Sequence, residues 1–243
     1  MGHGAGGLRS RWTAHLPILY RVKSDQLALV QGWPHTRATL RRWNAAPWRL
    51  LAAWSLGSLC VTALLLVATW FVADHALPDL TSRSYPGLTR PATTEDFFFV
   101  LRRNVTVLAL HALACVAGFI AGWLRPGERI SRAQRHAAPL AIIFVTAATL
   151  FSLLTQANAL GHGAADLAQA LGVEPHTLLL RLLPHALPEL FAVFLPLAAW
   201  SIASRRGAWH ELPAATIATT AIAVPLVLLA AAIETWVTPL YFL

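Results

Sequence analysis

Charge is the first thing this chain is short of. Only 12% of its 243 residues are Asp, Glu, Lys or Arg, against about 25% for an average soluble domain. Hydrophobic residues make up 56%, so a soluble fold would lack the polar residues to cover its surface. Cysteine is nearly absent as well. The two present, Cys60 and Cys115, both fall inside apolar runs, which excludes a disulfide framework and reads them as small core residues. Catalytic signatures are missing. No His-Glu-x-x-His helix, Gly-x-Ser-x-Gly turn or Gly-rich phosphate loop occurs, and no spacing links a serine to a histidine as nucleophile and base. The alternating short strands of a β-barrel are absent too. The first 48 residues are too polar for a cleavable signal peptide, and the first long apolar run comes too late.

Five apolar runs are present. A bilayer core takes about 20 apolar residues per helix, and 50–73, 104–124, 137–160, 182–204 and 212–238 meet that length. They are expected to be helices, because lipid satisfies no backbone hydrogen bond from outside. The expected architecture is an all-α polytopic membrane protein: a basic cytoplasmic helical segment over 1–48 and a transmembrane bundle over 49–243.

The net charge of +8 would suggest nucleic acid in a soluble protein. Here the basic residues sit in short blocks between apolar runs, which favours membrane topology as their role. Arg9, Arg11, Arg21, Lys23, Arg37, Arg41, Arg42 and Arg49 precede or open the first span. Arg125, Arg129, Arg132 and Arg135 follow the second, and Arg205 and Arg206 follow the fourth. These are 14 of the 19 basic residues. Positive loops stay inside, so the N-terminus is expected in the cytoplasm and the C-terminus outside.

The connections have character of their own. Residues 13–45 are expected to form one or two amphipathic helices broken at Pro17 and Pro34, after a disordered start of about 12 residues. Thr93–Arg103, acidic first and basic last with Phe97, Phe98 and Phe99 between, is expected as an interfacial helix. Residues 162–181 suggest a surface or re-entrant helix pair split at Gly172. Pro184, Pro188, Pro196 and Pro225 are expected to kink or break their helices. Trp48, Trp54, Trp70, Trp123, Trp200 and Trp236 lie near span ends, as an aromatic belt would place them. Gly118 and Gly122 form a small-xxx-small pair that predicts close helix packing and leaves a homo-oligomer open.

The informative residues are those that lipid disfavours. A carboxylate at a helix centre costs about 2.5–3.5 kcal/mol on insertion scales, and Glu189 and Glu234 stand inside the last two runs. His185 lies four residues before Glu189 and Thr238 four after Glu234, a spacing that puts each pair on one helix face. The expected topology brings both glutamates to the outer end of the bundle. Arg102, Arg103 and Asn104, at the start of the second span, come to the same end. Two carboxylates and two guanidiniums at one depth would neutralise each other. His185 with Glu189 makes half of a zinc site at most, since zinc needs three or four ligands, and His111, His162 and His176 have no evident place in it. No metal or other cofactor is expected.

Several of these stretches resemble one known family. Pro184-His185-Ala186-Leu187-Pro188-Glu189-Leu190 looks like the Pro-His-Gly-x-x-Glu-Leu element of the stage II sporulation protein M (SpoIIM-type) membrane family, with alanine in place of glycine. Ala232-Ile233-Glu234-Thr235-Trp236-Val237-Thr238-Pro239 resembles its closing Ile-Glu-x-x-x-Thr-Pro element. Arg103-Asn104 resembles its second-span start, with Val105 where a second Asn is usual. Leu19-Tyr20-Arg21 with Asp25 resembles the cytoplasmic segment of longer members. The Gly-Thr stretch after the second span is missing. In endospore formers the family supplies a membrane anchor for a wall-degrading complex. The resemblance therefore implies a non-enzymatic scaffold that works through membrane or envelope proteins. The alternative is a permease or ion-conducting protein that uses Glu189 and Glu234.

Overall fold

In the computed structural model, residues 28–79, 87–88, 90–123 and 132–242 are described, by backbone alone at 28, 121–123, 132–142, 144 and 145. The Tyr20-Arg21-Asp25 segment, the expected disorder of the first residues, and Arg125 and Arg129 lie outside that description. All regular elements among the described residues are helical: α1 Ala28–Ala45, α2 Trp48–His75, α3 Thr94–Trp123, α4 Arg132–Leu171, α5 Pro175–Arg205 and α6 Leu212–Ala232. After α6 the chain continues as a π-helical turn, Ile233–Val237, and a 3₁₀ turn, Thr238–Tyr241.

Four of these helical stretches are long and apolar enough to cross a membrane, Trp48–His75, Thr94–Ile120, Pro175–Arg205 and Trp209–Tyr241. The packing has the polarity of a membrane protein. On α2 the buried residues are Trp54, Ser58, Thr62, Leu65, Thr69 and Ala73, a stripe at helical spacing that is mostly small or hydroxylic. The opposite face, with Leu56, Leu64, Val67 and Phe71, is exposed. Small residues let backbones approach where water gives no hydrophobic drive between helices, and large apolar side chains turn to lipid. The same division marks α6. It buries Ala214, Ala215, Thr219 and Ala223 and exposes Ile217, Val224 and Leu229.

The fifth helix is the axis of the bundle. Residues 192–200 are buried without a break, as expected of a helix surrounded on every side. Its prolines leave it continuous: α5 runs through Pro184, Pro188 and Pro196, and α6 through Pro225. Neighbouring helices supply donors near Pro196. Ser58 Oγ donates to Phe191 O at 2.6 Å and Cys115 Sγ to Pro196 O at 3.4 Å. These bonds tie α2 and α3 to the α5 backbone on either side of Ala192, whose carbonyl is the one Pro196 frees.

Several expectations are corrected here. Thr93–Arg103 is not a separate interfacial helix, because α3 starts at Thr94 and runs straight on. Residues 162–181 are not a re-entrant pair. The Ala-rich piece continues α4 to Leu171, Gly172 turns the chain at φ 64°, and the next residues already belong to α5. Pro34 lies inside α1 and does not end it. Trp54 and Trp200 are core residues at 2% and 7% exposure, so the belt reading holds for neither. Cys60 is exposed while Cys115 is buried.

One end of the bundle is clamped by α1. Arg42 pairs with Glu211 at 2.5 Å, Trp43 meets Trp54 edge to face at 5.3 Å, and a Cβ on Gly32 would strike the Phe119 ring at 2.5 Å. The start of α2, the start of α6 and the later turns of α3 therefore share this end. Gly118, read as one half of an interhelix motif, is occupied within the chain. A Cβ there would meet Leu212 Cδ1 at 2.9 Å and Trp200 Nε1 at 3.0 Å.

Candidate functional site

The opposite end collects the polar residues. The start of α3 is fixed by a reciprocal cap. Asp96 accepts from Thr93 N at 2.9 Å and from Thr93 Oγ1 at 2.8 Å, and the Asp96 amide points back at Thr93 Oγ1 at 3.4 Å. This is a capping box with Asp at the third position. Arg90 closes on Asp96 with two hydrogen bonds of 2.8 and 2.5 Å, and that carboxylate holds the guanidinium above its ordinary pKa. The cap starts the helix ten residues before Asn104, so Arg102, Arg103 and Asn104 sit on its third turn.

Asn104 is 5% exposed and faces α5. Its amide reaches toward Glu189, although Nδ2 stops short of strict hydrogen-bond geometry. On α5, His185 and Glu189 lie one turn apart. Glu234 is on the π turn and Thr238 on the 3₁₀ turn after it.

The π turn has a local cause. Pro239 has no N–H, and its ring excludes the carbonyl four residues back. The Thr238 amide donates to Ile233 O, five residues earlier, and the helix widens by one residue. Single π turns of this kind occur mostly at functional sites.

The contacts pair these residues across helices. His185 Nδ1 and Thr238 Oγ1 are 2.8 Å apart. The Glu189 and Glu234 carboxyls lie close enough to act on each other directly, and two like charges that near in an apolar setting disfavour full ionisation of both. Arg103, exposed like Arg102, is near enough to act on both carboxyls and forms no ion pair with either among the described residues. Of the seven residues expected to gather, six do: Arg103, Asn104, His185, Glu189, Glu234 and Thr238. Arg102 does not. It is exposed, and its recorded bond is a backbone one, its carbonyl accepting from Thr106 Oγ1 at 2.7 Å. The expected mutual neutralisation by two arginines is therefore replaced by two neighbouring carboxyls with one guanidinium nearby. The same-helix pairs His185–Glu189 and Glu234–Thr238 give way to interhelix pairs.

Aromatic and loop contacts surround the C-terminal part of this end. Phe97 stacks on Trp236 at 5.2 Å, Arg181 lies over the Phe242 ring at 5.4 Å, and Gly87, at φ 81°, packs directly on Pro239.

One polar feature escaped the sequence reading, and one histidine it left unplaced now has a position. Asp166 is 5% exposed and accepts from the Asp79 amide at 2.7 Å, tying α4 to the chain just after α2. Its signal was the run Gly161, Ala164, Ala165 and Ala168 on one face, a packing face rather than a surface loop. His111 lies on α3 two turns deeper than Asn104 and meets Phe194 at 5.6 Å between ring centres.

Chemically, the cluster can join three helices and hold a proton between two carboxyls. Among the described residues no group of three His, Cys, Asp or Glu side chains lies close enough to hold a metal ion. Compared with family models, curated proteins and solved structures, the chain finds no match.

Proposed function

We propose that this helical membrane protein is a non-enzymatic scaffold of the SpoIIM type, set in the cytoplasmic membrane of a bacterium and organising partner proteins at the cell envelope. In this reading α4 is the fifth span, and the N-terminus is cytoplasmic. The partners are the lipid bilayer and other membrane or envelope proteins, and no nucleic acid or cofactor is involved.

The observation that carries the reading is the carboxyl pair of Glu189 and Glu234, closed against Asn104 with Arg103 nearby and flanked by the His185–Thr238 bond. These groups face one another and tie α3, α5 and the end of α6 together at one level. A polar cluster spent on its own partners orders a bundle and leaves the outer surfaces to bind other proteins.

Replacement of Glu234 is the test. Glu234→Ala leaves Glu189 without its partner in an apolar setting and should lower folded protein in the membrane several-fold. Glu234→Gln keeps a hydrogen-bonding side chain and should lower it far less. Isolation of the complex in mild detergent should then recover envelope proteins with the wild type and fewer with Glu234→Ala.

A second reading rests on the nearness of the two carboxyls, which between them could carry a proton. Intramembrane carboxyls also line proton and ion paths. If both Glu234 variants accumulate normally while a proton or ion flux into liposomes disappears, conduction replaces the scaffold.

A further inference from the structure

Away from the polar cluster, an apolar groove of about 630 Å³ runs between α2, α4 and α5. Its size is within the range of about 300–1,000 Å³ typical of ligand sites. Leu64, Leu65, Leu150, Leu154 and Trp200 line its length, and Arg205 stands at the α5 end. On α2 the lining runs from Gly57 to Ala68, about 16 Å of helix axis. That is close to one leaflet of a hydrocarbon core about 30 Å thick. Leu64, Leu150 and Leu154 are 71%, 56% and 68% exposed, so the groove opens sideways, where the bilayer would be.

Its one formal charge decides what fills it. Arg205 is exposed and enters no ion pair or side-chain hydrogen bond among the described residues. Arg206 follows directly and is also exposed. Ser201, the polar residue one turn earlier, spends its hydroxyl on Leu197 O at 2.9 Å. An occupant must therefore be apolar for about one leaflet's depth and anionic at the end beside Arg205.

We infer that the groove is a binding site for one acyl chain of an anionic phospholipid, whose phosphate lies against Arg205. The site does not depend on which way the chain is oriented or on the scaffold reading. Arginine suits this role because its planar fork meets two phosphate oxygens at once, and each basic residue near an anionic lipid surface gives about a five-fold preference.

The experiment uses the full chain in mild detergent. Phosphatidylglycerol and phosphatidylcholine with identical acyl chains are added separately and together, and bound lipid is read by native mass spectrometry. The wild type should retain phosphatidylglycerol over phosphatidylcholine by about five-fold. Arg205→Gln should bring the ratio close to one, Arg205→Lys should keep part of it, and Arg206→Gln should leave it higher than Arg205→Gln does. Cys60 is an exposed groove residue, so Cys60→Trp should reduce retention of both lipids by filling the channel. Equal retention of the two lipids by the wild type would overturn the assignment. So would an unchanged ratio in Arg205→Gln, or undiminished binding in a Cys60→Trp protein whose thermal midpoint matches the wild type.

Discussion

His185 and Thr238 show how little a single contact needs in order to matter at this depth. Both are buried, at 7% and 6% exposure, and their side chains meet at 2.8 Å. Thr238→Val keeps the shape and removes the hydroxyl, leaving the buried imidazole Nδ1 unpaired. The expected loss is about 1–3 kcal/mol, read as a lower thermal midpoint in detergent, while Thr238→Ser should recover most of it. Gly87 makes a sharper case. At φ 81°, a Cβ would lie 2.3 Å from Pro239 Cγ, so Gly87→Ala suffers both a disfavoured backbone region and a clash. A cost of about 1–3 kcal/mol is expected, and an unchanged midpoint would remove Gly87 from the packing of this end. The identities of the cluster residues were legible in the sequence, because a carboxylate or imidazole within an apolar run stands out. Their partners were not. Helical spacing offers only same-helix neighbours such as His185 with Glu189, whereas the pairs formed depend on how α5 and α6 pack and on a π turn that no periodicity announces.

At the scale of the elements, span boundaries read from hydropathy mark where apolar composition ends, and helices run past those points. Thr93, Asp96 and Arg90 start α3 in a polar stretch, and α4 continues through Asp166 to Leu171 because its small residues still find a surface to pack on. That surface is α2. A Cβ on Gly161 would stand 2.5 Å from Val72 Cβ and 3.0 Å from Thr69 O, while one on Gly163, two residues on, would meet nothing within 4 Å. The pair makes a controlled comparison. Gly161→Leu should pry the last turns of α4 from α2, cost about 1–3 kcal/mol, and open the 161–172 stretch to protease in detergent. Gly163→Leu should change neither the midpoint nor the digestion pattern. Equal behaviour of the two variants would mean that the α2–α4 crossing is not held at Gly161.

At the scale of the whole molecule the two ends differ in kind, and that difference makes the proposed threading testable. One end joins α1 to the bundle through Arg42–Glu211 and Trp43–Trp54, and Arg37, Arg41, Arg49, Arg205 and Arg206 belong to it by their position along the chain. The other end holds the carboxyl pair, His185 and Thr238. In the proposed reading the α1 end is cytoplasmic, because basic residues near span ends are retained on that side. That reading, with α4 as a fifth span, puts the C-terminus across the membrane from α1. Alkaline phosphatase, active only outside the cytoplasm, should therefore be active when fused after Leu243 and inactive when fused after Ala208, and a reporter that fluoresces only in the cytoplasm should give the reverse. The same signal from both sites would mean that α6 does not cross. The reversed pattern would put the carboxyl pair on the cytoplasmic side, where partners for it would have to be sought among cytoplasmic proteins rather than in the envelope.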